Sequence, residues 1–348
     1  MKDLKYLFAY AIPLGTFLAL SRLGIYSYMA FFVAFVMIPI LELLLPAVNE
    51  QYTADQKEKR AKNIFFDLLL YLNVPIIYGG LIWGFWILVN TSLAPYEQMG
   101  LILSLGIFLG ANGINVAHEL GHRKSKLENS MGKALLLPAL YMHFFIEHNY
   151  GHHRNVGTPE DPVTAKRNQG VYAFWFSSVY KQILSAWRIQ KQLLNSQKHS
   201  FFSVYNDMLW FSVFQLGYLV ILFLLGGWVL LAYGLGVAVV AFLLLETTNY
   251  IEHYGLERKK LPSGRYERVT TLHSWNSNHL VGRIVLYELT RHSDHHYIAS
   301  KKYQLLENRD ESPQLPFGYP TSILIALVPP LWFQLMNKRI PKAATLAA

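Results

Sequence analysis

Long apolar runs separated by short polar stretches dominate the chain, and the runs have the length of membrane spans. Those at 6–23, 25–48, 64–89, 99–116, 208–225 and 228–245 each approach or exceed the ~18 apolar residues that cross a bilayer as a helix. The pattern therefore predicts an all-α, polytopic membrane protein with six transmembrane helices, at about 6–23, 25–48, 64–89, 99–120, 208–225 and 228–250. Two other apolar stretches are too short to cross: 131–146, and 319–336, which Pro329-Pro330 interrupts. Both are expected to dip into the interface. The first run follows only Met1-Lys2-Asp3 and lacks a small-residue cleavage site, so it reads as a retained helix rather than a signal peptide.

By length alone the chain would suit two soluble domains, but 53% hydrophobic and 15% aromatic residues fit a single membrane-embedded domain over 1–348 better. Charge then orients it. Lys57, Lys59, Arg60 and Lys62 follow the second run and Arg123, Lys124 and Lys126 the fourth, whereas the loop at 90–98 has no basic residue. The positive-inside rule places both termini, and the polar catalytic segments at about 118–200 and 251–318, in the cytoplasm. Two short motifs add little: Gly80 and Gly84 fit packing between helices of the same chain, and Asn90-Thr91-Ser92 is a weak glycosylation match.

The candidate chemistry lies in histidines at helix ends and in polar segments. His118/His122, His148/His152/His153 and His292/His295/His296 form three clusters, and His253 stands alone between the second and third. Residues three or four apart share a helix face, so 118/122, 148/152 and 292/295/296 can each present imidazoles to a common point. Neutral imidazole is the commonest protein metal ligand. Eight histidines plus His253 are too many for one ion with about four protein ligands, so two metals are the economical reading. Ligand type alone leaves zinc, copper, iron and nickel open. His143, His199, His273 and His279 lack paired spacing.

The stretches HELGHRK, EHNYGHH, NYIEHYGL and LTRHSDHH, in that order between about Asn112 and Glu307, resemble the histidine boxes of integral-membrane alkane 1-monooxygenases. These form a branch of the membrane di-iron hydroxylase and desaturase superfamily. Acyl desaturases share the HxxxH and HxxHH spacing, while NYIEHYGL points to the hydroxylase branch. The resemblance implies that His118, His122, His148, His152, His153, His253, His292, His295 and His296 ligate two non-haem irons. It further implies hydroxylation of the terminal methyl of a medium- or long-chain n-alkane with dioxygen and electrons from rubredoxin and its reductase, at the bacterial inner membrane. A related hydroxylase or desaturase for another aliphatic or alkyl-aromatic chain is the runner-up.

Several residues around the ligands then acquire candidate roles. Glu119, Glu147, Asp161, Glu252 and Asp294 are the acids beside or near the boxes, and Asp161, Glu252 and Asp294 are the best candidates to accept the outer N–H of a ligating ring. The HSWNSNH tract also resembles the family and offers His273 and His279 for a similar supporting role. Ala111, Ile114, Ala117 and Leu289, one or two turns before ligands or beside them, are expected to line the end of a substrate channel.

With no cysteine, the chain carries neither a disulfide nor a fused rubredoxin, and no dinucleotide fingerprint is evident, so electrons must arrive from outside. Arg123, Lys124, Lys126, Lys133 and Arg154 could steer an acidic donor to the cytoplasmic face. His118-Glu-Leu-Gly-His122 also reads as the HExxH of a zinc protease. That reading uses one ion and leaves the other boxes unexplained. A metal transporter would place its ligands near the bilayer midplane, whereas these histidines gather at helix ends.

Overall fold

The computed structural model describes residues 2–45, 47 and 50–341, and Val48, the expected end of the second span, lies outside them. Among the described residues, five helices are long and apolar enough to cross a membrane: α1 (Asp3–Arg22), α2 (Gly24–Leu44), α3 (Ile64–Asn90), α4 (Pro95–Gly121) and, after the amphipathic α5 (Val171–Ser196), α6 (Asp207–His253). That is one fewer than the pattern predicts, because the last two runs are joined through α6. At Gly226 (φ −149°, ψ 17°) and Gly227 (φ 61°, ψ −154°) the backbone leaves helical space, and glycine tolerates the second conformation. Residues 222 and 234 of a straight helix would stand ~18 Å apart. Instead Leu222 packs directly on Gly234, where an added Cβ would come within 2.3 Å of its Cδ1. α6 is therefore a hairpin of two apolar arms, 207–225 and 228–253.

Small residues let these helices approach closely. Gly80 and Gly84 of α3 receive Phe108 and Leu105 of α4, so this pair packs within the chain as expected, and Gly106 and Gly110 of α4 receive Val240 and Leu244 of α6. The two short apolar stretches stop short of crossing. The first forms Lys126–Leu136 and then turns through Leu140 (φ 54°), and the second breaks into Tyr319–Ala326 and Pro329–Met336. Among the described residues there is no strand beyond two isolated bridges, Lys260–Tyr266 and Asn276–Gln314.

All the box histidines lie toward one end of this bundle. α4 ends on His118 and Gly121, the second arm of α6 ends on His253, and the short helix α7 (His292–Tyr297) carries the last box. A second apolar core, with Tyr250, Tyr254, Trp275, Tyr319 and Trp332, packs around the end of α6.

Candidate metal centre

Helical winding decides which rings meet. Glu147–His152 is a π-turn in which the His153 N–H returns to the His148 carbonyl. At this wider winding rings five apart share a face. His148 consequently pairs with His153, and His152 points to the other side; the expected convergence of His148 with His152 is corrected. In α7 the ordinary winding holds, so His292 and His296 converge while His295 turns away from them. A further π segment, Leu109–Ile114, precedes His118 in α4, the kind of insertion often found at functional sites.

The nine histidines form two groups. His118, His122, His148, His153 and His295 make one, and His152, His253, His292 and His296 the other; the ligating nitrogens of each lie within 4.8 Å of one another. Nε2 faces inward throughout. His118 meets His295 at 3.0 Å, and His148 meets His122 and His153 at 3.0 Å each. In the second group His152 meets His296 at 3.2 Å, and His292 meets His253 at 3.1 Å and His296 at 3.0 Å.

This packing suits a cation at the centre of each group. Burial, reinforced by the neighbouring histidines, holds His148, His153, His292, His295 and His296 well below the usual imidazole range and His122 at about 3, so the rings are neutral. The Nδ1–H of His152 donates to Asp161 at 3.0 Å, which leaves that ring a bare Nε2 lone pair facing His296. Converging lone pairs repel unless a positive ion lies among them. Ligands ~2.1 Å from a metal stand about 3.0 Å apart at right angles and about 3.4 Å apart in a tetrahedron, close to the spacings seen here.

The carboxylates have distinct tasks. Asp161 is buried, holds His152 Nδ1, and accepts from the Thr164 hydroxyl at 2.5 Å. Glu252 Oε1 lies 3.3 Å from His292 Nδ1 and accepts from the Tyr319 hydroxyl at 2.9 Å. Asp294 faces elsewhere, toward Lys301 at 2.6 Å, Arg309 at 2.6 Å and the Glu307 N–H at 2.9 Å, and ties α7 to the segment after it. Glu119, the would-be base of a protease, is bound by Arg123 at 2.8 Å and the Tyr303 N–H at 3.2 Å. Glu147 accepts from Ser185 at 3.4 Å, and burial followed by the nearby Asp161 and Glu246 raises its carboxyl well above the usual range.

Orienting bonds of this kind are worth roughly 10–100-fold in metal affinity. Asp161→Ala is accordingly expected to weaken metal binding by about that factor, read as the chelator concentration that strips half the metal. Unchanged affinity would mean that this bond does not orient His152.

The remaining histidines sit apart from both groups. His143 stacks beside Tyr141, His199 lies on Tyr205, His273 meets Glu267 at 3.2 Å, and His279 meets the Ser277 hydroxyl at 2.9 Å. The HSWNSNH tract touches the centre through the His273 backbone, which meets the His253 ring, and through other residues. The Trp275 N–H donates to the Glu252 carbonyl at 2.8 Å, and Ser293 donates to Asn276 at 3.1 Å.

Two buried ionic groups frame the site without touching a ligand. Glu246, in the second arm of α6, accepts from Tyr141 at 2.8 Å, Ser178 at 2.5 Å and Gln182 at 2.8 Å, which fastens α5 and the 137–146 segment to α6. A carboxylate within an apolar run is a signal of this kind, and the histidine spacing diverts attention from it. Glu288 accepts from Tyr6 at 2.5 Å and Arg283 at 2.8 Å and lies 3.3 Å from Arg291. It sits on a corner where Tyr287 (φ 52°) and Glu288 (φ 58°) are both left-handed. Nothing in the local sequence marks that corner, since neither residue is glycine.

An apolar cavity opens onto the centre. It is lined by side chains of α1, α2, α4 and α6, among them Ile12, Phe35, Ile38 and Leu245, and reaches His118 and His148 of one group and His292 of the other. Ala111 and Leu289 line it, whereas Ile114 and Ala117 lie in the packed interior.

Fold and site together define a membrane-embedded, histidine-rich metalloenzyme. Residues 94–321 match the fatty acid desaturase family. The chain is 40% identical over 312 residues to alkane 1-monooxygenase 2 of Pseudomonas aeruginosa, covering 88% of this chain and 82% of that one. It is 37% identical over 355 residues to alkane 1-monooxygenase 2 of Alcanivorax borkumensis (98% and 91%). The hydroxylase component of the xylene/toluene monooxygenase of Pseudomonas putida is 28% identical over 349 residues (97% and 89%). The chain belongs to the alkane 1-monooxygenases of the fatty acid desaturase family.

Proposed function

We propose that this protein hydroxylates the terminal methyl of medium- or long-chain n-alkanes to primary alcohols, using two non-haem irons, dioxygen and electrons from rubredoxin and its reductase. The observation that carries the proposal is the apolar cavity ending on imidazoles of both groups. Iron held by these rings would supply dioxygen activation. One oxygen atom goes into the terminal C–H bond, and the other leaves as water with two electrons and two protons from outside. The chain contributes placement: apolar walls bind the alkyl chain and exclude water, Asp161 holds His152 in orientation, and Glu252 stands 3.3 Å from His292 Nδ1.

In this reading the hairpin of α6 supplies two crossings, for six in all. The chain then acts as one catalytic domain in the bacterial inner membrane, with both termini and the metal centre on the cytoplasmic side. Of the cations expected to steer the donor, Arg123 is engaged with Glu119 and Asp67 and Lys133 with Asp207, so Lys124, Lys126 and Arg154 remain exposed for that task. Similarity to the xylene/toluene enzyme supports a second reading, hydroxylation of a methyl on an aromatic ring.

Metal analysis of the purified protein, followed by turnover of n-alkanes and alkylbenzenes with rubredoxin, its reductase and labelled dioxygen, tests both. Two irons per chain and a primary alcohol carrying one labelled oxygen are expected. An alkene product, or an alcohol without label, would overturn the assignment. Ala111→Phe is expected to lower the specificity constant for the longest accepted alkane about tenfold relative to the shortest. An unchanged product profile would remove Ala111 from the substrate path.

A further inference from the structure

We infer that α5 is an interfacial helix whose partner is the lipid surface itself, with an outward aromatic row in the acyl region of the leaflet on the metal-centre side and a basic edge toward its anionic headgroups. The helix has three faces. Val171, Phe174, Ser178, Gln182 and Ala186 are buried inward, and Ser178 and Gln182 bond Glu246 in the second arm of α6. On the opposite side Tyr172, Phe176, Tyr180, Ile183 and Leu184 are uncovered, with Phe176 82% and Tyr180 65% exposed. Along one edge between these faces stand Lys181 and Arg188, exposed and, among the described residues, without a carboxylate partner.

The height of the helix follows from the hairpin it lies across. It touches the second arm at Glu246 and reaches the start of the first arm through Gln190, which donates to the Tyr205 carbonyl at 3.2 Å. Glu246 and Asp207 are each about 19 residues from the Gly226–Gly227 reversal, ~28 Å at 1.5 Å per residue. Contacts at equal height on two antiparallel arms set α5 parallel to the membrane plane. That height is close to the ~30 Å thickness of the hydrocarbon core measured from the far side, so α5 lies at the near interface.

The faces are turned the right way for lipid. Ser177 and Lys181 border a polar pocket with Thr158, Asp161, Lys166 and Arg258, which places the basic edge on the side of the polar loops and the aromatic row away from them. An apolar face with a basic margin is the pattern of helices that lie in the headgroup region and favour anionic lipid. The row continues into Phe202 and Tyr205, 84% and 59% exposed, just before α6 enters its first arm, the position of an aromatic belt. This continuity with a spanning segment favours the bilayer over a second copy of the chain.

The chain has no cysteine, so Phe176→Cys, Ile183→Cys and Lys181→Cys each carry a single nitroxide label without background. The full-length protein is reconstituted in vesicles of phosphatidylethanolamine and phosphatidylglycerol, and relaxation by oxygen is compared with relaxation by a water-soluble nickel chelate. Labels at 176 and 183 should favour oxygen and the label at 181 the chelate, so that the ratio inverts across the helix. A label at 176 freely reached by the chelate would overturn the proposal. Spin–spin broadening between labels at 176 on different chains would overturn it too, and would assign the row to a dimer seam.

Discussion

His253→Ala is expected to empty the four-histidine group while leaving the five-histidine group able to bind. His253 ends α6 and meets His292 at 3.1 Å, one of only four imidazoles in its group. The others are buried, and among the described residues no cysteine or carboxylate belongs to that ligand set. Losing a direct ligand should exceed the ~10–100-fold cost of losing an orienting bond, so affinity at this group should fall by more than about 100-fold. Metal content should drop toward half, with turnover lost alongside it. His143→Ala is the control, because His143 belongs to neither group. Full metal content with unchanged affinity in His253→Ala would break the two-site reading.

The second large effect concerns stability. Burial pushes the Glu288 carboxyl up, but Arg291, Arg283 and the hydrogen bonds of Arg283 and Tyr6 together hold it down at about 2. Glu288→Ala strips the carboxylate from buried Arg283 and Arg291, and removing one partner of such a group costs roughly 3–5 kcal/mol. It also frees two consecutive left-handed residues, each strained by about 1–3 kcal/mol, directly before the last histidine box. The variant should unfold at much lower temperature in detergent and bind metal poorly before it unfolds. Because the folded pKa lies below the unfolded value, this stabilisation is complete above ~4.3 and is lost as pH falls through about 2. Variant melting unchanged from the parent, or parent melting insensitive to acid in that window, would show that the corner is held by other means.

Much of this protein is legible from periodicity, because membrane spans and paired histidines are both repeats. The apolar runs located the helices, yet two of them proved to be arms of one hairpin, since Gly226-Gly227 bends the chain without interrupting its hydrophobicity. Histidine spacing identified the residues that gather. It did not tell which joins which, because that depends on whether a turn winds as α or π, and EHNYGHH carries no mark of its π register. Proximity in sequence served the acids unevenly. Asp161 and Glu252 reach ligating rings, whereas Asp294, beside His295, is drawn off by Lys301 and Arg309. The Glu288 corner depends on Tyr6 at the opposite end of the chain and lies beyond any local pattern.

His152 and His153 are neighbours in the chain yet serve different groups, and so are His295 and His296. Consecutive Cα atoms are fixed ~3.8 Å apart by the planar peptide, so two peptide links yoke one coordination sphere to the other. The backbone spacing beneath the two spheres is therefore covalently fixed, and only the side-chain torsions set how far apart they lie. A backbone shift at either dipeptide would disturb both spheres at once, which makes the pair a single mechanical unit that evolution or design can retune only together.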